Sequence, residues 1–479
     1  MSVNYVKSEL GKITSVYTMI EDCIDGEKQV KSKGDLYLPR PNPEDKSSEN
    51  NARYESYLTR AYFYNFCLNT RVGLSGLIFM RDINLALPSE LDYLQSNADA
   101  SGITLRQQCE MVVDTVLPLG RGGLLADYPV IDGERTEKEK QNGVAAYITF
   151  YHPKSIINWK ESGGKLTLLV LAETYDTATD EFDEDTEPQY RVYSLDEDGN
   201  VIVRIYRDDL EVPFSGPLMI TDAQGKPFKE IPFSFVGSTN NEPSVDIPLF
   251  EPLASLNIAW FRNSADFEES CFITGQPTVV ISGVDEHWWK EVMGGTVALG
   301  SRGGIALPKD GAALMLQPDP NTLPQAAMEA KQQIMIALGA KVIDTKEAEQ
   351  TRKEVELRHT AETSKLAQIA KNVSAAYKKA IYFCGLFETG TDVTEQTTFE
   401  LNTDYTSTKL NSDETRIILE LYVTGLISFS EMRDRLLQSG IASEIDNKKV
   451  KAQIEEDQSF LSDLQPEPEP VKTGPPDAV

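Results

Sequence analysis

Apolar residues recur at three- and four-residue intervals through "KLAQIAKNVSAAYKKAIYFCGLF": Leu366, Ile369, Ala370, Val373, Tyr377, Ala380, Ile381, Cys384 and Phe387. A helix completes a turn every 3.6 residues, so this spacing puts all of them on one face and predicts a long buried helix. Upstream, Leu323, Ala326, Ala327, Ala330, Ile334 and Leu338 mark one face of another helix starting at Thr322, with Pro324 in the first turn. A missing N–H costs nothing there. Between the two patterns, Asp344 to Glu354 is polar almost throughout, and neither Gly nor Pro occurs from Lys341 to Cys384.

Residues 1 to about 145 read as mostly helical. In "YESYLTRAYFYNFCLNTRVGLSGLIF", Tyr54, Tyr57, Leu58, Ala61, Tyr62, Asn65, Phe66 and Leu68 form an aromatic-rich helical face. Ser89 with Asp92 and Thr104 with Gln107 fit capping boxes or close variants, so two more helices start there, the second ending at Pro118. From Ala145 to Phe235 the texture becomes alternating and β-branched, with Asp198 and Gly199 as a hairpin turn. An antiparallel β-rich subdomain is expected. Pro248 to Phe272 returns to helix, with Leu253, Leu256, Ile258, Ala259, Phe261, Ala265 and Phe267 as its apolar face. A small α/β insert follows: the strand "PTVVISG", a short helix capped by Asp285, and further extended pieces. Past the long helix come a short extended piece "QTTFELN", helices over Asp413 to Thr424 and Ser428 to Gln438, and a weak last helix. The Pro- and Glu-rich end, "QPEPEPVKTGPPDAV", is expected to be disordered.

Composition narrows the functional classes. With 46 basic and 75 acidic residues the net charge is −29. A protein that grips a phosphate backbone tightly is normally basic, because counterion release supplies most of its affinity. Tight DNA binding is therefore excluded, whereas a surface along which DNA slides without sticking is not. No run reaches the ~18 apolar residues of a spanning helix, and no membrane role or secretory signal is expected. The five cysteines are far apart and odd in number, so buried small side chains are expected rather than a disulfide framework or zinc site.

Motif chemistry is sparse. No P-loop, H-E-x-x-H or G-x-S-x-G occurs, and "LGRGGLLADYP" follows a helix rather than a strand, so its glycines suggest a turn with close backbone packing. The acidic stretch "YDTATDEFDEDTEP" lacks the alternation of a calcium loop and reads as a solvated loop. His152, His287 and His359 fall in different elements. Neither a catalytic site, a metal site nor a cofactor is expected.

The order of elements resembles that of the phage portal proteins, in a branch carried as a domain of unknown function. The stretches that carry the resemblance are "YLTRAYFYNFCLNTRVGLSGLIF", "LPLGRGGLLADYP", "LASLNIAWFRNSADFEESCFITGQPTVVISG", "LGAKVID" and "ETSKLAQIAKNVSAAYKKAI". They are patterns of packing and turns, and their order is more specific than any one of them.

The resemblance implies an α+β, mostly helical, portal-like fold. Residues 1–145 would be a helical wing part, 146–247 a β-rich wing subdomain, 248–272 and 321–340 the stem helices and 273–320 the clip. Residues 341–354 would be the tunnel loop, 355–410 the long wing helix with its extended piece, 411–461 a helical crown and 462–479 a tail. It implies a homo-oligomeric ring, usually a dodecamer, at one capsid vertex of the virion, assembled in the host cytoplasm. Double-stranded DNA would pass through without sequence specificity during packaging and ejection. The implied partners are the major capsid protein, the terminase and the head-to-tail adaptor.

On this reading Lys341, Asp344, Thr345, Lys346, Glu347 and Gln350 line the narrowest part of the channel, with Gly339 as a flexible point before them. Lys331 is a candidate lumen cation, and His287, Trp288 and Trp289 are candidate clip docking residues. The alternatives are another virion component, such as an adaptor or minor capsid protein, and a cytosolic enzyme with an unrecognised site.

Overall fold

The computed structural model describes the chain except residues 1, 130–143, 179, 181, 184, 208–209, 213–216, 276–277, 293, 296–306, 317–320, 340–351, 404, 406–416, 418, 423–426, 439–449 and 451–479, and the side chains of 278, 316, 352–364, 434, 435, 437 and 438. It divides into two units, Met1–Thr403 and Asp404–Val479.

In the first unit, helices α1 (Ser8–Asp25), α2 (Glu27–Ser32), α3 (Ser48–Arg60), α4 (Phe66–Ile78) and α5 (Leu105–Leu119) precede most of the strands, with a short β1 (Asn84–Ala86) among them. Thr104 and Gln107 form the expected capping box of α5, and Gly120, at φ +80°, closes that helix in the left-handed region that favours glycine. Ser89 does not cap a helix. Its hydroxyl turns to Glu90, and Ser89–Gln95 is a 3-10 segment.

The single aromatic helix expected from Tyr54 onward is broken. Residues 61–65 are extended, separating α3 from α4, so Tyr54, Tyr57 and Phe66 are buried while Tyr62 and Tyr64 face outward. A helix of the first unit supplies the reason. In α6 (Glu251–Thr274), the buried Asn257 accepts from Phe66 N at 3.1 Å and donates to Tyr64 O at 2.9 Å. Ser264, two turns further on, accepts from Tyr62 N at 3.2 Å. The extended backbone thus finds partners that a helix would have supplied internally.

The "GRGGLLAD" stretch is a strand, β2 (Arg121–Asp127), buried along its whole length, and not a turn beyond Gly120. It is the centre of a three-stranded antiparallel sheet, between β3 (Tyr147–Tyr151) and β10 (Phe233–Gly237). Its glycines answer close packing. A Cβ on Gly123 would overlap Phe233 Cζ and lie 2.9 Å from Ile156 Cδ1, and one on Gly122 would lie 2.8 Å from Phe150 Cε2. Arg121 is buried with its guanidinium carbon 4.0 Å from the Trp159 ring centre and 4.5 Å from that of Phe235. Burial draws its pKa down to about 10.

The second sheet follows the expected β-rich texture. β4 (Ile156–Ser162), β5 (Lys165–Asp176), β6 (Thr186–Leu195) and β7 (Val201–Arg207) run antiparallel in order, and the two-residue strands β8 (Leu210–Glu211) and β9 (Leu218–Met219) both pair with β7. Gly199, at φ +75°, turns β6 into β7, where Asp198–Gly199 was expected to do so. Arg191 of β6 joins the sheets, bonding Asp127 of β2 at 2.6 Å and Glu173 of β5 at 2.9 Å.

The long helix α8 (Arg352–Thr389) packs on β2, β3, β10 and α5. Every residue of the predicted stripe from Leu366 to Phe387 is buried. Phe387 meets Phe228 at 4.7 Å between ring centres, and Tyr377 stacks on Phe399 at 4.6 Å. Phe399 lies in β13 (Thr398–Glu400), the "QTTFELN" piece, which pairs with β1. In the second unit, α9 (Phe429–Gln438) starts as expected, with Ser428 Oγ accepting from Glu431 N at 3.1 Å. Most of the expected crown and the tail lie outside the described residues.

Candidate functional site

The chain runs out along α6, through an insert, and back along α7 (Leu323–Ala337), which packs beside α6. At 1.5 Å per residue α6 is about 36 Å long and α7 about 22 Å. Part of the face that the periodicity selects on α7 is exposed. Leu323, Ile334 and Leu338 are exposed at 76%, 50% and 47%, while Pro324 and Met335 are buried. On α6, Leu253, Ile258, Phe261 and Ala265 are buried as expected, but Leu256, Ala259 and Phe267 are only half-buried, and Ala254 and Trp260 take their place in the core.

The charge on α7 is small and balanced, one acid and one base. Glu329 accepts from Gln325 Nε2 at 3.0 Å, and Lys331 Nζ donates to Asn263 Oδ1 of α6. Lys331, the candidate lumen cation, is therefore drawn onto the neighbouring helix. Between the C-terminal half of α6 and the start of α7 lies a cleft of about 610 Å³, lined among others by Asn263, Asp266, Glu269, Ser270 and Ala327. Its carboxylates are engaged by α3. Tyr57 donates to Asp266 at 2.6 Å, and Arg60 pairs with Glu269 while lying over the Phe272 ring at 4.3 Å. Burial, then the bond to Asp266, pushes the Tyr57 phenol upward, so it stays a donor.

The insert contains a two-stranded ribbon, β11 (Thr278–Ser282) against β12 (Ala312–Leu316). Asp285 caps the intervening helical turn, its Oδ1 accepting from Trp288 N at 2.7 Å. His287 and Trp289 are exposed and Trp288 is half-buried. Elsewhere on the insert Val292, Leu314 and Met315 are each more than half exposed. The structure thus places the three docking candidates together on one helical turn.

Where α7 ends, Leu338 and Gly339 line an apolar cavity of about 190 Å³ together with Leu253, Lys365, Leu366 and Ile369. The end of one predicted helix and the first residue of the long stripe therefore meet at one place. Lys341, Asp344, Thr345, Lys346, Glu347 and Gln350 lie outside the described residues. The helix itself is present from Arg352, so residues 352–354 belong to it rather than to the expected loop. Among the described residues no group of acidic, His or Cys side chains is arranged to hold a metal ion, and no helix is long and apolar enough to cross a membrane.

Sequence reading missed Asn257 and Ser264 as the residues that seat the α3–α4 connection. The available signal was two polar residues seven apart on an otherwise apolar face of α6.

A family model described as "Domain of unknown function (DUF4055)" matches residues 248–387, from the start of α6 to the end of the α8 stripe. Among curated proteins nothing matches. Among solved structures, the chain is similar to one in "Virion of native gene transfer agent (GTA) particle", at 11% identity and a TM-score of 0.44, covering 80% of this chain and 92% of that one. It is also similar to a chain in "Neck of native GTA particle computed with C12 symmetry", at 11% identity and a TM-score of 0.41, covering 78% and 89%.

Proposed function

We propose that the chain is a portal subunit, which forms a homo-oligomeric ring at one vertex of a phage capsid and lets double-stranded DNA through. The observation that carries this reading is the α6–insert–α7 unit. Two packed helices lead to and from a small ribbon, and the returning helix carries one acid and one base over its whole length.

A channel wall has to pass a polyanion without trapping it. A strongly basic wall would hold phosphates through counterion release, and a strongly acidic one would oppose entry. A wall built from Gln, Ala and apolar side chains, with Lys331 tied to Asn263, gives DNA neither a deep well nor a high barrier. Residues 341–350 then line the narrowest part, between α7 and α8. The exposed Leu323, Ile334 and Leu338 suit contact with the next subunit rather than solvent.

The insert, as clip, offers Trp289, His287 and its exposed apolar side chains to the terminase and later to the head-to-tail adaptor. The subunit itself is not an enzyme in this reading, and nucleotide hydrolysis belongs to its motor partner. Mass photometry and negative-stain microscopy of the purified protein test the proposal. Closed rings with an open axial channel are expected. A monomer or dimer under every salt and pH condition sinks it, and ATP hydrolysis by the protein alone returns the enzyme alternative.

A further inference from the structure

Arg121, the first residue of β2, is 2% exposed. Antiparallel pairing sets it opposite Gly237 of β10, and the loop after β10 folds over the pair. A Cβ on Gly237 would overlap Asn240 O, and Pro243 O accepts from Arg121 Nη1 at 2.6 Å. The rings of Trp159 on β4 and Phe235 on β10 pack against the guanidinium. These contacts use its π surface and one nitrogen. Nε and Nη2 are buried as well, and neither has a hydrogen-bond partner among the described residues.

Covalent geometry puts Nε–H and one N–H of Nη2 side by side on one edge of the planar guanidinium, the fork that takes an anion through two parallel hydrogen bonds. A buried charge with unmet donors is costly, so buried cations are normally paired. The covering loop does carry a carboxylate, Asp246, but it accepts from Thr239 N at 2.9 Å and Ser238 Oγ at 3.3 Å. Lys7 adds to the positive charge, its Nζ lying 4.2 Å from the centre of the same Trp159 ring that Arg121 packs against.

We propose that Arg121 holds a small inorganic monoanion, chloride in ordinary salt, on its Nε–Nη2 edge. Burial draws its pKa down only to about 10, so the guanidinium is still charged at neutral pH. Closure of the site sets the class of ligand. Neither a nucleic-acid phosphate nor a side chain of a second copy reaches the fork while the loop covers it, whereas a halide is enclosed as the loop closes. The ion neutralises the guanidinium where β2, β4, β10 and the covering loop meet, and its effect is on stability. The portal reading plays no part in this inference.

The test uses the full chain. Crystals with bromide in place of chloride, measured at the bromine absorption edge, are expected to show an anomalous peak between Nε and Nη2 of Arg121. In solution, thermal midpoints are compared at constant ionic strength in chloride, bromide and gluconate, an anion too large to be enclosed. The wild-type midpoint is expected to rise by a few degrees as chloride replaces gluconate, by ligand linkage. Arg121→Lys keeps the charge and loses the fork, Arg121→Met loses both, and each is expected to lose the halide dependence. Should neither variant fold, the bromide map and the wild-type series decide. A fork occupied by water, equal wild-type midpoints in chloride and gluconate, or the same halide dependence in a folded variant overturns the proposal. A bromide peak with no halide dependence in solution marks an adventitious ion only and overturns it too. Ring formation is read separately and bears on the portal reading alone.

Discussion

Asn257 donates to the carbonyl oxygen of Tyr64 at 2.9 Å, and its Oδ1 accepts from the amide two residues on, Phe66 N, at 3.1 Å. A buried side chain in α6 thereby does for the extended link between α3 and α4 what a neighbouring strand does in a sheet. Truncating it leaves these two backbone groups only their bond to each other, Phe66 N to Tyr64 O at 3.0 Å. Asn257→Ala is expected to lower unfolding stability by about 1–3 kcal/mol. Urea unfolding followed by circular dichroism measures this, and a loss below about 0.5 kcal/mol, the scatter of ordinary surface changes, contradicts the role.

Two glycines give opposite tests of what a glycine is for. Gly123 has an ordinary extended backbone but no room, since a Cβ would overlap Phe233. Gly163 has open space but a φ of +59°. Gly123→Ala should cost about 1–3 kcal/mol through overpacking of the core, and Gly163→Ala about 1 kcal/mol through backbone strain alone. Equal thermal midpoints for the two variants would contradict this ordering.

At the seam between the sheets, Arg191 serves both Asp127 and Glu173. Burial raises the Asp127 carboxyl, while Arg191 pulls it the other way. Its raised pKa makes the neutral form the easier one to bury, so Asp127→Asn should be close to neutral in stability. Removing the cation is different, because it leaves the buried Asp127 and the half-buried Glu173 without their counter-charge. Arg191→Gln is expected to cost about 3–5 kcal/mol, and denaturation midpoints of the two variants at neutral pH compare them directly.

Glu21 of α1 accepts from Lys154 and lies 3.0 Å from His152 Nε2. Burial pushes its pKa up, but the hydrogen bonds from His152 and Lys154 outweigh this, and the net value falls below the usual 4.5. A depressed carboxylate contributes stability that is fully present above the unfolded-state value and is lost as pH falls through the folded one. The stability gap between the wild type and Glu21→Gln should therefore be constant near neutrality and close as pH drops below 4.5. A gap that widens in acid would reverse the assignment.

Ile334 is half exposed on α7 and makes no part of the core. Ile334→Asp should leave the unfolding midpoint of the isolated chain within about 0.5 kcal/mol of wild type while abolishing rings in mass photometry. Undiminished ring formation would remove this face of α7 from the proposed subunit interface.

The stripe from Leu366 to Phe387, the capping box at Thr104 and Gln107, the β6–β7 turn and the helix pair around a small insert were all legible from the chain. Each depends on forces local to one segment: helical periodicity, a cap three residues long, a glycine able to take positive φ. The helix α7 was legible in the same way, but Leu323, Ile334 and Leu338 on its periodic face are left exposed by the single chain. Periodicity marks a face that avoids water without saying what covers it.

What only the tertiary structure decided is where distant segments supply each other's partners. The break after Arg60 exists because Asn257 and Ser264, some two hundred positions away, bond the extended backbone. The glycines of β2 are required by Phe233 and Phe150, which arrive from other strands. Lys331 is turned to Asn263, and Asn65 to the carbonyl of Ile24, because helices far apart in sequence pack side by side. A sequence records which residues avoid water and which turns are allowed; which buried polar group meets which is fixed only when the segments close on one another, since an unmet buried donor or acceptor is too costly to keep.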